Sequence, residues 1–181
     1  MTALLTRNRC LGGLLALLFA NGAWAQGGAL EALPQHSQPL AGLHASGQPT
    51  PEALAALPAA GVKVVIDLRP DEETPALDEA ALVRQSGVVY ENLPIAGKAG
   101  LTRSNVQAFD ALLKKHAGVT VLAHCSSSNR VGALLALRAA WIEGKPTAEA
   151  LALGEKAGLK ALRPDVEALL DGKGIAPTPG R

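Results

Sequence analysis

One cysteine and one arginine, with four residues between them, hold most of the chemistry that this sequence can do. Residues 119–132 read VTVLAHCSSSNRVG, an apolar β-branched run, a polar bend and the start of a second apolar run. This pattern places Cys125 immediately past a strand and Arg130 in the first turn of the following helix. A helix N-terminus offers unpaired N–H groups and about half a positive charge, so it holds anions and favours thiolate over thiol. Successive amides in such a bend form an anion-holding nest. An arginine fork grips two oxygens of a tetrahedral oxyanion and does not lose its charge. Ser126, Ser127, Ser128 and Asn129 keep the loop small and polar. The expectation is a nucleophile beside an oxyanion cradle, acting on a small anionic or phosphorylated substrate. It requires the sulfur of Cys125 to meet solvent and the side chain of Arg130 to face it.

The elements that position this bend follow from periodicity. Thr50, Pro51 and Glu52 open a helix as N-cap, first-turn proline and first-turn acid, and Gly61 closes it. Residues 62–68 (VKVVIDL) form a strand buried on both faces. A helix over 77–85 ends at Gly87, and a strand over 88–93 stops at Pro94. Ser104 with Gln107 resembles a capping box for a helix running to His116. Residues 119–123 are the third strand. Residues 131–142 form a helix with Arg138 as its only charge, hence largely buried. Thr147 and Arg163 open two more helices. Strands alternating with helices predict an α/β fold of three layers, a mainly parallel sheet flanked by helices on both faces. In such sheets the active crevice lies beyond the carboxyl ends of the strands. Asp67, Arg69 and residues 71–73 arrive at that edge beside His124 and Cys125.

His-Cys, a short polar loop and an arginine opening a helix resemble the cysteine-dependent tyrosine and dual-specificity phosphatase superfamily. More narrowly, GVKVVIDLRPDEE, VVYENLPI and VLAHCSSSNRVGALLAL are similar to the phosphatase-like family of bacterial beta-lactamase hydrolase-like proteins, over residues 46–170. The resemblance implies a phosphatase-like hydrolase with Cys125 as nucleophile and Arg130 as oxyanion clamp. His124 then orients the loop by hydrogen bonding, and Asp67 and Arg69 match the family's DLR segment. Asp67 and Arg69 read first as an internal ion pair pinning the strand end, with Arg69 as a second anion contact the alternative. Four residues separate Cys125 from Arg130, where these phosphatases usually have five. The shorter loop resembles that of rhodanese-type sulfurtransferases, so a persulfide on Cys125 is the rival chemistry, and a non-catalytic anion-binding or redox module is the third reading. The stretch where such phosphatases carry an acidic proton donor, residues 93–100, has no carboxylate. Asp71, Glu72 or Glu73 could reach in from the neighbouring strand end as that donor, but they read first as solvated loop charges, and Lys98 as a solubilising one, with steering of anions the alternative.

The rest of the chain narrows the setting. Residues 1–25 read as a signal peptide: Arg7 and Arg9, an apolar run from Leu11 too short to span a bilayer, then Ala23-Trp24-Ala25 before the cut. Residues 26–45 read as a poorly ordered lead-in, 46–170 as the domain and 171–181 as a loose tail. Lysine and arginine total 17 against 16 acids, and removing the leader leaves 15 against 16. Near neutrality and few aromatics argue against a nucleic-acid partner. After cleavage nothing predicts stable membrane insertion, so the product is expected to be exported, periplasmic or secreted. Of two cysteines, Cys10 leaves with the signal, so Cys125 has no internal disulfide partner. The four histidines lack metal-ligand spacing, so neither a metal nor another cofactor is expected.

Overall fold

The structure, a computed structural model, describes residues 25–73 and 76–172. The expected signal peptide and most of the expected tail lie outside them. In chain order come α1 (Ala25–Glu31), β1 (Ser37–Leu40), β2 (Leu43–Ser46), α2 (Pro51–Ala56), β3 (Val62–Asp67), α3 (Glu79–Gln85), β4 (Val89–Asn92), α4 (Arg103–Lys115), β5 (Thr120–His124), α5 (Asn129–Trp141), α6 (Thr147–Lys156) and α7 (Arg163–Leu170). The strands form one sheet in the order β1-β2-β5-β3-β4. Only the β1–β2 hairpin is antiparallel; β5 sits centrally, parallel to β2 and β3.

Alternation along the strands builds the two faces. Val64, Ile66, Val121 and Ala123 pack with α5 and its neighbours, in a core that includes Phe109, Val131, Leu135 and Cys125. Val65 and Leu122 face the other way, towards Leu54, Leu57 and Val83 of the α2–α3 side. Val62 joins this second core because the β3–β5 register slips between Val62 and Val64, leaving Lys63 exposed. The result is the three-layer, mainly parallel α/β architecture expected from the sequence. Helix α5 is buried along nearly its whole length, between the sheet and helices α4, α6 and α7. Its charge beyond the first turn, Arg138, is answered by Asp110, at 2.8 Å.

Three expectations change. Residues 26–45 are not a loose lead-in: they supply α1 and the hairpin, and β2 is buried at every position. Pro39 and Gly42 hid these short strands, because the β1–β2 turn needs Gly42 at φ +74°. Thr102, not Ser104, caps α4, accepting from the N–H of Asn105 at 3.2 Å. And β4 is a half-exposed edge, with Val89 open to solvent. At the other expected helix start Thr50 accepts from the N–H of Ala53, as its position before Pro51 predicts.

Candidate active site

Strand β5 delivers His124 and Cys125 to the carboxyl edge of the sheet, and α5 starts four residues later. The bend is anchored on both sides. The N–H of Cys125 donates to the Ser46 carbonyl at 3.4 Å, and Gly47 bridges to Ser127. Ser128 stands at the N-cap with φ +63° and ψ −6°, a left-handed conformation unusual for a residue with a Cβ. The cost is offset locally: the buried Ser128 hydroxyl donates to the Ala157 carbonyl at 2.8 Å, and Gly158 packs directly against the Ser128 Cβ. Because Ser128 does not cap with its side chain, the first-turn N–H groups of α5 are left to the loop.

The four loop residues divide. Ser126 turns its hydroxyl inward and Ser127 is exposed. Ser128 faces the end of α6. Asn129 accepts from the N–H groups of Lys160 and Leu162 at 2.8 and 3.3 Å, tying α5 to the α6–α7 connection. Only the Ser126 side chain therefore reaches the anion position.

Burial pulls the Arg130 guanidinium down, but the Glu73 hydrogen bonds, with Cys125 a smaller contribution in the same direction, outweigh it and hold the group above its ordinary pKa. Carbonyls at the ends of two neighbouring strands fix it: Nη1 donates to Ile95 O at 3.0 Å and Leu68 O at 3.4 Å. Its outward fork is occupied. Nη1 and Nη2 donate to Oε1 and Oε2 of Glu73 at 2.7 and 2.6 Å, and the Ser126 hydroxyl donates to the same Oε2 at 2.8 Å. Glu73, on the 3-10 turn Asp71–Glu73, is thus no free loop charge, as the sequence suggested; Asp71 and Glu72 are exposed. The Arg130 and Ser126 hydrogen bonds hold its carboxyl below the usual range, against the upward push of burial. Cys125 itself is 1% exposed, so the condition that its sulfur meet solvent is not met in this structure, in which the Glu73 carboxylate sits on both Arg130 and Ser126.

Beneath the loop lies a buried ionic network. Arg69 donates through Nε and Nη2 to Asp67 at 2.9 and 2.8 Å, and also pairs with Glu79. Nε2 of His124 lies 2.7 Å from Glu79 Oε1 and 3.8 Å from Asp67 Oδ1. Tyr90 donates to Asp67 at 3.0 Å, and Asn92 donates to the Arg69 carbonyl at 3.1 Å. Burial pushes the Asp67 carboxyl up, but the Arg69 hydrogen bonds and the nearby His124 outweigh it and hold it low. Burial beside Asp67 pushes the Tyr90 phenol far up, so Tyr90 remains a neutral donor. Arg69 therefore pins the strand ends, as its first reading had it. His124 does not orient the loop by hydrogen bonding, the role the resemblance implied: neither ring nitrogen makes a hydrogen bond, and its Nε2 only abuts the buried Glu79 carboxylate. Asp67, Glu79 and His124 are near enough together to suggest a cation site, but the Arg69 guanidinium already lies between the two carboxylates and supplies the positive charge. Sequence reasoning missed Glu79: an acid after Asp78, the helix N-cap, looks like a dipole partner until the fold turns it inward.

A parallel sheet whose central strand runs into a Cys-loop-Arg bend at a helix N-terminus defines a phosphatase-like protein, and the comparisons agree. The chain belongs to the family described as "Beta-lactamase hydrolase-like protein, phosphatase-like domain", whose model matches residues 40–142. A beta-lactamase hydrolase-like protein of Xylella fastidiosa is 34% identical over 96 residues; the match takes in 51% of this chain and 22% of that protein, so the chain spans about a fifth of the length of this relative. A candidate phosphatase of the DUF442 type from Shewanella putrefaciens superposes with a TM-score of 0.67 at 31% identity, over 81% of this chain and 95% of that one. A second candidate phosphatase, from Neisseria meningitidis, gives 0.59 at 27% identity, over 74% and 96%. Tk-PTP in its active form, 20% identical with a TM-score of 0.58 over 77% of this chain and 97% of that one, shares the fold.

Proposed function

We propose that this protein is a cysteine-dependent phosphatase of the tyrosine/dual-specificity type, hydrolysing a phosphate monoester through a phosphocysteine on Cys125. The observation that carries the reading is the convergence of the Arg130 fork and the Ser126 hydroxyl on one pair of oxygens at the mouth of the Cys125 loop. Two oxygens of a phosphoryl group fit the same contacts, with the α5 amides available to the third. The sulfur attacks phosphorus in line, the ester oxygen leaves, and water later cleaves the S–P bond. Charge develops on the equatorial oxygens during both steps, where a fixed guanidinium and oriented amides are most effective. Removal of residues 1–25 on export would place this activity outside the cytoplasm.

The four-residue spacing between Cys125 and Arg130 favours a second reading, sulfane transfer through a persulfide. Mature protein and a Cys125→Ser variant separate the two when each is given 4-nitrophenyl phosphate, and separately thiosulfate with cyanide. Phosphate release lost in the variant supports the phosphatase. Thiocyanate formation lost in the variant, with no phosphate release by either protein, overturns it.

A further inference from the structure

The phosphatase reading lacks a proton donor, since residues 93–100 carry no carboxylate, and the structure has one carboxylate at the reacting position that the reading does not use. We propose that Glu73 is the leaving-group acid, parked on Arg130 until a phosphoryl group displaces it; this rests on the phosphatase reading and names its missing catalytic residue. The geometry is that of an internal substrate mimic. Both carboxylate oxygens accept from the fork that a phosphoryl group would take, and Oε2 also accepts from Ser126. An incoming phosphate dianion brings more charge and a third oxygen, so it wins the fork. The displaced carboxylate stays close, because the 3-10 turn Asp71–Glu73 is tied back by the Glu73 N–H to the Pro70 carbonyl at 3.1 Å.

Displacement also reverses its electrostatics. On Arg130, Glu73 is held ionised by that guanidinium and by Ser126, with Arg69 a smaller favourable charge. Off Arg130, it stands beside the negative charge of the bound phosphoryl group, with the Arg130 charge engaged by substrate and only the smaller contribution of Arg69 left to favour the ionised form. An acid placed among negative charges takes up a proton. In the first step the sulfur lone pair forms the S–P bond, the P–O bond breaks, and its electron pair leaves on the ester oxygen, which takes the Glu73 proton. In the second, the Glu73 carboxylate accepts a proton from water as the water oxygen bonds to phosphorus. The S–P electron pair returns to sulfur. Inorganic phosphate is released, and Glu73 is again the acid, free to ionise and return to Arg130.

The test uses Glu73→Gln in the mature protein, with folding checked by circular dichroism and two esters that differ in leaving group. Because Glu73 also serves the second step, which both esters share, the readout is kcat/KM, which stops at the first. Glu73→Gln should lower it for phenyl phosphate, whose leaving oxygen needs protonation, about 10²-fold more than for 4-nitrophenyl phosphate, whose leaving oxygen does not. Removing the parked charge should also tighten inorganic phosphate, read by calorimetry, by about tenfold, because the competent state is no longer a minor one. An equal change in kcat/KM on both esters, or unchanged phosphate affinity, overturns the proposal while leaving the phosphatase intact. Absence of turnover of either ester by the unsubstituted protein overturns the phosphatase reading and the acid role together.

Discussion

Replacing Arg69 by methionine isolates the buried network from the site it supports. Arg69 is 1% exposed, and its partners Asp67 and Glu79 have side chains 5% and 2% exposed. At 2.8 Å from Asp67, and with an effective dielectric of about 20, the attraction is about 6 kcal/mol. Desolvation of the same charges offsets part of it, so the net cost of breaking the network is about 3–5 kcal/mol. That is a large share of the roughly 5–15 kcal/mol by which domains are stable. At about 2–4 °C per kcal/mol, the midpoint of melting should fall by roughly 6–20 °C. The loss comes chiefly from two carboxylates stranded away from water, so neutralising them should restore stability. Arg69→Met combined with Asp67→Asn and Glu79→Gln is expected to recover at least half of it. Urea and thermal unfolding followed by circular dichroism read both effects, and calorimetry with inorganic phosphate reads the site separately. A single variant within about 1 kcal/mol of the parent, or a triple variant no better than the single, would refute the argument. Phosphate affinity that stays lost in a restored triple variant would instead make Arg69 an anion contact.

Three further outcomes follow from the same geometry. A Cβ at Gly132 would lie 2.3 Å from Leu159 N and 2.5 Å from Gly154 O, both backbone atoms, so Gly132→Ala should force α5 from α6 at a cost of about 3 kcal/mol or more; unfolding within 1 kcal/mol of the parent would contradict it. At Ser128 two variants give an ordering. Ser128→Ala keeps the left-handed strain and loses the buried bond to Ala157, costing about 1–2 kcal/mol, whereas Ser128→Gly loses the bond but also the strain and should be more stable than the alanine variant by about 1 kcal/mol; denaturant midpoints in the reverse order would sink the reasoning. Stability should also fall in acid. Lysine, histidine and arginine partners hold Asp67, Glu73, Glu91 and Asp110 below their ordinary values, against burial in each case. Each contribution is complete above the unfolded-state value near 4 and is lost as pH drops through the lower folded-state value, so urea midpoints measured from pH 7 to pH 2 should hold steady to about pH 4 and then decline, and less steeply for Asp110→Asn.

The parts of this protein legible in the sequence are those with a local cause. Residues 62–68 and 119–123 are apolar over strand length because both faces are covered, and the Cys125–Arg130 bend is readable because a strand-to-helix junction fixes what its amides can do. The hairpin β1–β2 was not readable: Pro39 interrupts the pattern of β1, which pairs with β2, and β2 in turn is held by β5, a partner about 80 residues away that no periodicity announces. Glu79 belongs to the same class, and so does the choice of Glu73: residues 71–73 were open to reaching in from the neighbouring strand end, but nothing local said which of them would. Glu73 and Glu79 each sit in a helical turn, where an acid usually serves the helix dipole or solubility, and one meets Arg130 and the other Arg69 only after the sheet is assembled.

The two arginines show why local reading stops at that point. Both carry a bidentate carboxylate at hydrogen-bonding distance. Arg69 sits beneath β3 with both carboxylate partners buried, so nothing from solvent competes for them and the cluster is structural. Arg130 stands at the sheet edge with a partner whose side chain is 35% exposed, so an oxyanion of higher charge can compete for its fork. Burial of the partner therefore separates an anchor from a binding site, and it is settled by where α3 and the turn Asp71–Glu73 come to rest on the sheet. The Glu73→Gln and Arg69→Met variants probe that difference from opposite sides: one should open a site without destabilising the protein, the other should destabilise it without having touched the anion.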